Sequence, residues 1–206
     1  FVDQILTMNT HDYVLFFTNK GKVYRLKGYE IPEFSRTAKG LPIINLLAVE
    51  KGENINAIIK VEKDNNDKYL VFATKNGSVK RSLLEDFNNI RQSGKIAITL
   101  KDNDELIAVH KSDGRGKVLM CSSMGRMVRF DENYIRVMGR TAAGVKGITL
   151  VNDVCIGMEI CSDSDNMVMV TENGYGKKTE VSEFRETKKG SKGVKALNIT
   201  DKNGKI

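Results

Sequence analysis

An all-β fold of repeated four-stranded blades is predicted by three observations on the amino-acid sequence. The first is a pattern that occurs four times: four or five apolar residues, a Thr or Ser, two variable residues, a Gly, and a basic residue four positions later. Its copies run from Val14 through Thr18 to Gly21 and Arg25, from Tyr69 through Thr74 to Gly77 and Arg81, from Val118 through Ser122 to Gly125 and Arg129, and from Met167 through Thr171 to Gly174 and Lys178. The second is the spacing of those glycines, 56, 48 and 49 residues, which marks an array of small units whose function lies on a surface that repeats with them. The third is that four strand-like runs fit each unit of about 50 residues, the arithmetic of a propeller blade.

Each element has a local reason. Lys22-Val23-Tyr24-Arg25-Leu26-Lys27 alternates with period two, as a half-buried strand does. Thr-x-x-Gly between two such runs reads as a hairpin turn in which glycine takes a positive φ, and Asn76-Gly77 and Asn173-Gly174 are strong hairpin signals. Upstream of each hairpin a further strand is expected, at Gln4–Met8, Ile55–Val61, Glu105–Val109 and Val154–Ile160. Downstream a fourth is expected, for example Lys95–Leu100 or Gly147–Leu150. Pro32 and Pro42 both fall in the connection after the first hairpin, and no Pro-, Ser- or Gly-rich linker divides the chain. The reading is one domain with repeats at about 1–49, 50–101, 102–151 and 152–206.

With 206 residues, 40% apolar and 29% charged, the composition is that of a soluble globular protein. No apolar run approaches the roughly 20 residues needed to span a bilayer, so no membrane partner is expected. The chain opens on Phe1-Val2-Asp3-Gln4-Ile5-Leu6, in the middle of an apolar pattern, which reads as a piece of a longer protein. Cys121, Cys155 and Cys161 form no Cys-x-x-Cys pair, which suits a reducing cytosol. Cys155 and Cys161 as metal ligands would need partners, and His11 and His110 are far away in sequence; small core residues are the expectation.

The formal charge of +7 says less than its placement. The segments after each hairpin, 34–49, 87–101, 133–152 and 187–200, hold Arg36, Lys39, Arg91, Lys95, Lys101, Arg136, Arg140, Lys146, Lys188, Lys189, Lys192 and Lys195. All 26 acidic residues lie elsewhere. In a radial array, equivalent segments share a rim, so these windows predict a basic belt suited to a long polyanion. Window glycines such as Gly94, Gly144 and Gly193 fit either close approach to phosphate or turn geometry. Arg25, Arg81, Arg129 and Lys178 recur in register and read either as further phosphate contacts or as a solvated strand edge that opposes sheet association. Phe16, Phe17, Phe72, Phe87, Phe130 and Phe184 fall on apolar strands or unit junctions and are expected in the core. Exposed stacking platforms for single strands are therefore not expected, and the belt is read as a duplex backbone binder without sequence preference.

The ordered stretches Phe1-Val2-Asp3-Gln4 to Asn9-Thr10-His11-Asp12, Gly21-Lys22-Val23-Tyr24, Pro42-Ile43-Ile44-Asn45-Leu46-Leu47, Asp104-Glu105-Leu106-Ile107, Gly144-Val145-Lys146-Gly147-Ile148 and Asn173-Gly174-Tyr175-Gly176-Lys177 span the chain. Together they resemble the C-terminal domain of the bacterial DNA gyrase A subunit, within the family that also holds the corresponding topoisomerase IV domain. The resemblance implies a six-bladed β-pinwheel with strands exchanged between blades, of which four are visible here. It implies duplex DNA bent around a basic perimeter in support of ATP-dependent negative supercoiling. The implied partners are double-stranded DNA, the remainder of the gyrase A subunit, and the gyrase B subunit, in a bacterial cytoplasm. ATP, Mg, the catalytic tyrosine and the metal-binding carboxylates belong, on this resemblance, to other parts of the parent enzyme, so no cofactor is expected here. The family's Gln-Arg-Arg-Gly-Gly-(Arg/Lys)-Gly box is absent, and Ser35-Arg36-Thr37-Ala38-Lys39-Gly40 and Thr187-Lys188-Lys189-Gly190-Ser191-Lys192-Gly193 are its degenerate relatives.

Other classes fit the residues less well. Gly174-Tyr175-Gly176-Lys177-Lys178 lacks P-loop spacing and falls in a predicted hairpin, and no nucleophile–base constellation converges, so no catalytic site is expected. A protein-interaction propeller would carry mixed-charge interface residues, whereas the windows contain no acids. The equivalent domain of topoisomerase IV remains an alternative within the family.

Overall fold

The hairpins fall where the repeat places them. A computed structural model describes residues 2–206, so Phe1, the first position of the family match, lies outside the described residues. Strands β1 (Tyr13–Thr18) and β2 (Lys22–Lys27) form the first hairpin, followed by β3 (Ile55–Val61). Strands β4 (Tyr69–Thr74) and β5 (Ser78–Leu83) form the second, followed by β6 (Lys95–Ile96) and β7 (Leu106–Ser112). The third is β8 (Lys117–Ser122) with β9 (Arg126–Asp131), followed by β10 (Val145–Lys146) and β11 (Cys155–Cys161). The fourth is β12 (Asn166–Val170) with β13 (Gly176–Glu180), and β14 (Val194–Lys195) comes last. Short 3-10 turns are the only helical elements among the described residues.

The Thr/Ser-x-x-Gly motif is a closed turn. The N–H of Gly21, Gly77, Gly125 and Gly174 donates to the carbonyl of Thr18, Thr74, Ser122 and Thr171, at 3.0, 3.0, 3.1 and 2.9 Å. The hydroxyl of the same Thr or Ser accepts the N–H four residues on, which explains why a short hydroxyl side chain recurs there. Gly77 sits at φ +89°, and a Cβ there would lie 2.6 Å from the carbonyl oxygen of Ile148, so the position excludes a side chain on two counts.

The sheets do not follow the contiguous repeats. Their strand orders are β3-β1-β2-β6, β10-β5-β4-β7, β11-β8-β9-β14 and β12-β13. Each of the first three hairpins is flanked on both sides by strands from the next unit, an exchange that crosses the positions near 49, 101 and 151. The fourth sheet has two strands, where four were expected. Gln4–Met8 forms no strand, because its counterparts β3, β7 and β11 each pair with the hairpin before them and the described residues place no hairpin before Gln4. The downstream strands differ from expectation: β6 keeps only the first two residues of Lys95–Leu100, and β10 lies just before Gly147–Leu150, which forms no strand. Pairing stops after Lys95–Ile96 and Val145–Lys146, where the next N–H groups turn onto the carbonyls of Gly21 and Gly77.

Packing between sheets explains the unbroken apolar runs. Leu15 and Phe17 on β1 meet Leu70 and Phe72 on β4, while Val71 and Ala73 on the other face of β4 meet Val118 and Met120 on β8. Leu119 on β8 packs against Met169 on β12, so a hairpin sandwiched between two neighbours needs apolar side chains on both faces. Strict half-burial therefore fails on β2, where Val23, Tyr24 and Leu26 are all buried. Phe17, Phe72 and Phe87 form an aromatic triangle with centroids 5.5–6.0 Å apart, and all six phenylalanines expected in the core are buried. Cys155 is a core residue, and burial pushes its thiol up to about 11 and that of Cys121 up to about 12. The outward face of β12 differs, since Val168 and Val170 are exposed.

Candidate nucleic-acid interface

The two flanks of each sheet have opposite surroundings. Strands β3, β7 and β11 lie side by side and line one shared cavity, so they form the inner edge. Strands β6, β10 and β14 flank the hairpins on the opposite side, which makes them the outer edge. Each outer strand lies within a basic window: Lys95 is on β6, Lys146 on β10 and Lys195 on β14.

Equivalent hydrogen bonds stitch three of the windows together. Thr99 Oγ1 donates to the Thr141 carbonyl at 2.7 Å, joining window 87–101 to window 133–152. Thr149 Oγ1 donates to the Gly190 carbonyl at 2.6 Å, joining 133–152 to 187–200. The main chain repeats the link, with Thr149 N–H on the Ser191 carbonyl at 2.8 Å and Gly190 N–H on the Gly147 carbonyl at 2.7 Å. A strip without a carboxylate of its own thus runs along the outer edge. On it Arg91, Lys101, Arg136, Lys146, Lys188, Lys192 and Lys195 are exposed, and Lys95, Arg140 and Lys189 are half-buried. Arg36 and Lys39 are exposed on the first unit's loop, which forms no strand and is not joined to the strip.

Register reveals a residue that charge counting missed. Lys195 on β14 pairs directly with Arg126 on β9, which is exposed. Like charges opposite one another repel, and an anion lying over both relieves the repulsion. Arg126 lies in a hairpin outside the windows, so only knowledge of which strand pairs with β9 could have placed it on the strip.

Two cations act from beneath. Lys80 is fully buried, donates to the carbonyls of Ala97 and, at 2.6 Å, Arg140, and its ammonium lies 4.5 Å from the centre of the Phe72 ring. Arg140 in turn donates to the Ile96 carbonyl, so the pair ties the first two joined windows together. Burial, aided by the Arg140 charge and opposed by Asp86, pulls the Lys80 pKa down to about 7. The ordinary value is near 10.5, so between about pH 7 and 10 the unfolded chain binds the extra proton. Stability of the wild type relative to Lys80→Met should rise across that window by up to about 1.4 kcal/mol per pH unit and stay flat below it. Denaturant titrations of both proteins from pH 6 to 10 check this; parallel pH profiles would refute it.

The in-register basic residues are neither rim contacts nor strand edges as a set. Strands β2, β5 and β9 are interior to their sheets, which removes the edge role for Arg25, Arg81 and Arg129. Arg81 and Arg129 are 5% and 6% exposed, so they are not free to meet phosphate. Arg81 bonds Glu132 at 3.4 Å and Asn133 at 3.1 Å, and Arg129 bonds Asp163 and, at 2.6 Å, the Phe184 carbonyl. Each reaches the next unit and clamps two blades together. Arg25 reaches the Asn88 carbonyl in the same way but is half-buried. Only Lys178, on the two-stranded sheet, is exposed. The window glycines likewise follow turn geometry: at Gly193, with φ +70°, a Cβ would collide with the Met127 carbonyl oxygen.

Comparison with known proteins agrees with this architecture. The family model described as DNA gyrase C-terminal domain, beta-propeller, matches four times, over residues 12–62, 68–113, 116–162 and 165–206. Over 210 residues the chain is 51% identical to the DNA gyrase A subunit of Staphylococcus epidermidis, an alignment covering 100% of this chain and 24% of that protein. A crystal structure of the C-terminal domain of DNA topoisomerase IV superposes with a TM-score of 0.86 at 31% identity, covering 96% of this chain and 62% of that one. A structure of the DNA gyrase A C-terminal domain gives a TM-score of 0.77 at 28% identity, covering 96% of this chain and 64% of that one. Four successive matches to one family model leave few residues unaccounted for, and the chain belongs to the DNA gyrase C-terminal domain family of β-propellers.

Proposed function

We propose that the chain binds duplex DNA through its backbone, without sequence preference, along the outer-edge strip, and that it does so as part of a gyrase A subunit. The observation that carries this reading is the continuity of three acid-free windows on the outer edge, where a line of Lys and Arg can replace the counterions condensed on DNA phosphates. The remainder of that polypeptide and the gyrase B subunit as partners, and support of negative supercoiling, follow from the same reading. So does the absence of a catalytic or cofactor site in this part of the enzyme. The topoisomerase IV equivalent is favoured by one number, the TM-score of 0.86, whereas 51% identity to a gyrase sequence favours gyrase.

Bending is proposed to be weak. Turning a few tens of base pairs through a right angle costs on the order of several kcal/mol, and contacts at both ends of the arc must offset it. Arg36 and Lys39, on the degenerate first box, lie off the strip. Two unrelated duplexes of equal length, labelled at both ends, test the whole reading. Their affinities should agree within about threefold and fall steeply with salt, with little rise in energy transfer. A tenfold preference for one sequence, or no binding at low salt, would sink it.

A further inference from the structure

The three inter-blade clamps are not equivalent in charge. Arg81 and Arg129 each lie within 4 Å of carboxylates, from Glu132 for the first and from Asp163 and Glu186 for the second. Arg25 has no carboxylate partner among the described residues. Its guanidinium lies 4.4 Å from the centre of the Tyr13 ring and gives one N–H to the Asn88 carbonyl. Between Arg25 and Arg81 the difference is written in the repeat, because the position seven residues after the hairpin glycine is Glu132 in the third unit and Leu84 in the second; the fourth unit has Val181 there and supplies Arg129 with Asp163 and Glu186 instead.

Arg25 also opens onto a cleft of about 850 Å³ between the first two hairpins. The cleft lies at their open ends, away from the glycine turns where the outer strands attach. Lys27, Lys63 and Lys68 line it, and none has a carboxylate within ion-pair distance among the described residues. Of the lining carboxylates, Glu62 is held by Lys60 at 2.5 Å and Asp67 by Lys111 at 3.7 Å, which leaves Glu85 alone against four uncompensated cations. On the same wall the Asn65 amide nitrogen is buried without an acceptor, a state that calls for a bound group.

We propose that this cleft is a phosphate site separate from the outer strip. Arg25 lies over the Tyr13 ring, with its Nε buried and one terminal N–H anchored, so the terminal donors left are pre-organised for an oxyanion, and the three lysines supply mobile charge around it. The phosphate can come from a free polyphosphate anion or from a phosphodiester of the duplex.

Pyrophosphate titrated into the protein, followed by amide and Arg25 Nε–H chemical shifts, tests the site. Saturable shifts confined to the cleft are expected, with the affinity lowered at least about tenfold in Lys63→Glu/Lys68→Glu. These two side chains are exposed and without ion-pair partners, so their reversal leaves the fold intact, and Arg25→Gln serves as the second variant. Duplex affinity within twofold of wild type in the double variant assigns the site to the free anion. An equal loss of duplex affinity, with pyrophosphate competing for the site, assigns it to the DNA backbone. Unsaturable binding, shifts spread over the rim lysines, or no effect of the double reversal overturns the proposal. Lys146→Glu/Lys195→Glu should leave pyrophosphate binding unchanged, so failure of the cleft and failure of the rim can be told apart.

Discussion

Replacing Lys146, Lys192 and Lys195 by Glu should weaken duplex binding about 100-fold at 0.1 M salt, equally for unrelated sequences. All three side chains are exposed on the outer strip, and two lie on its edge strands β10 and β14. Removing one phosphate-neutralising cation should reduce the slope of log affinity against log salt by about one, so the triple variant should show a slope shallower by about three. Arg140 is left in place because its bond to the Ile96 carbonyl holds the strip together, and its reversal would confuse a direct DNA ligand with a support. Arg115→Glu, exposed between β7 and β8 and off both the strip and the cleft, should change affinity less than about twofold as a control for charge reversal as such. Anisotropy titrations at several salt concentrations decide the matter. An unchanged slope would remove the strip from the interface.

The strip was legible in the sequence because charge exclusion needs no knowledge of pairing. Acid-free windows recur with the repeat, and a repeat maps equivalent segments to equivalent places. The clamps were not legible for the opposite reason. Arg25, Arg81 and Arg129 look alike in register, and what separates a phosphate ligand from an internal tie is the residue facing them from the next unit. Strand exchange hides that neighbour, since a hairpin's flanking strands lie far downstream, beyond the end of its own unit. The hairpins themselves were fully visible, because their turns are closed by bonds within five residues. The upstream strand at Gln4–Met8 was expected from its pattern alone, but a strand needs a partner, and pattern does not supply one.

Arg81→Ala should cost about 3–5 kcal/mol of stability, the largest single loss expected from a side chain outside the apolar core. Glu132 is 0% exposed and accepts from Ser112 Oγ, from Gly116 N–H at 3.2 Å and from Arg81 at 3.4 Å. Truncating the arginine leaves a buried carboxylate with two neutral donors, which do not offset the loss of its counter-charge. Arg81→Met with Glu132→Leu should recover about 2 kcal/mol relative to the single variant, because the uncompensated charge is gone. The molecule already uses an apolar side chain at that position in other units, Leu84 and Val181, both buried. Function follows from the same clamp. The Arg81 carbonyl accepts the Met138 N–H at 2.8 Å and so pins the loop that carries Arg136 and Arg140. Urea titrations at pH 7 on the single and double variants separate the outcomes: a loss below about 1 kcal/mol, or no recovery in the double variant, would mean that the clamp between the second and third blades rests on packing rather than charge.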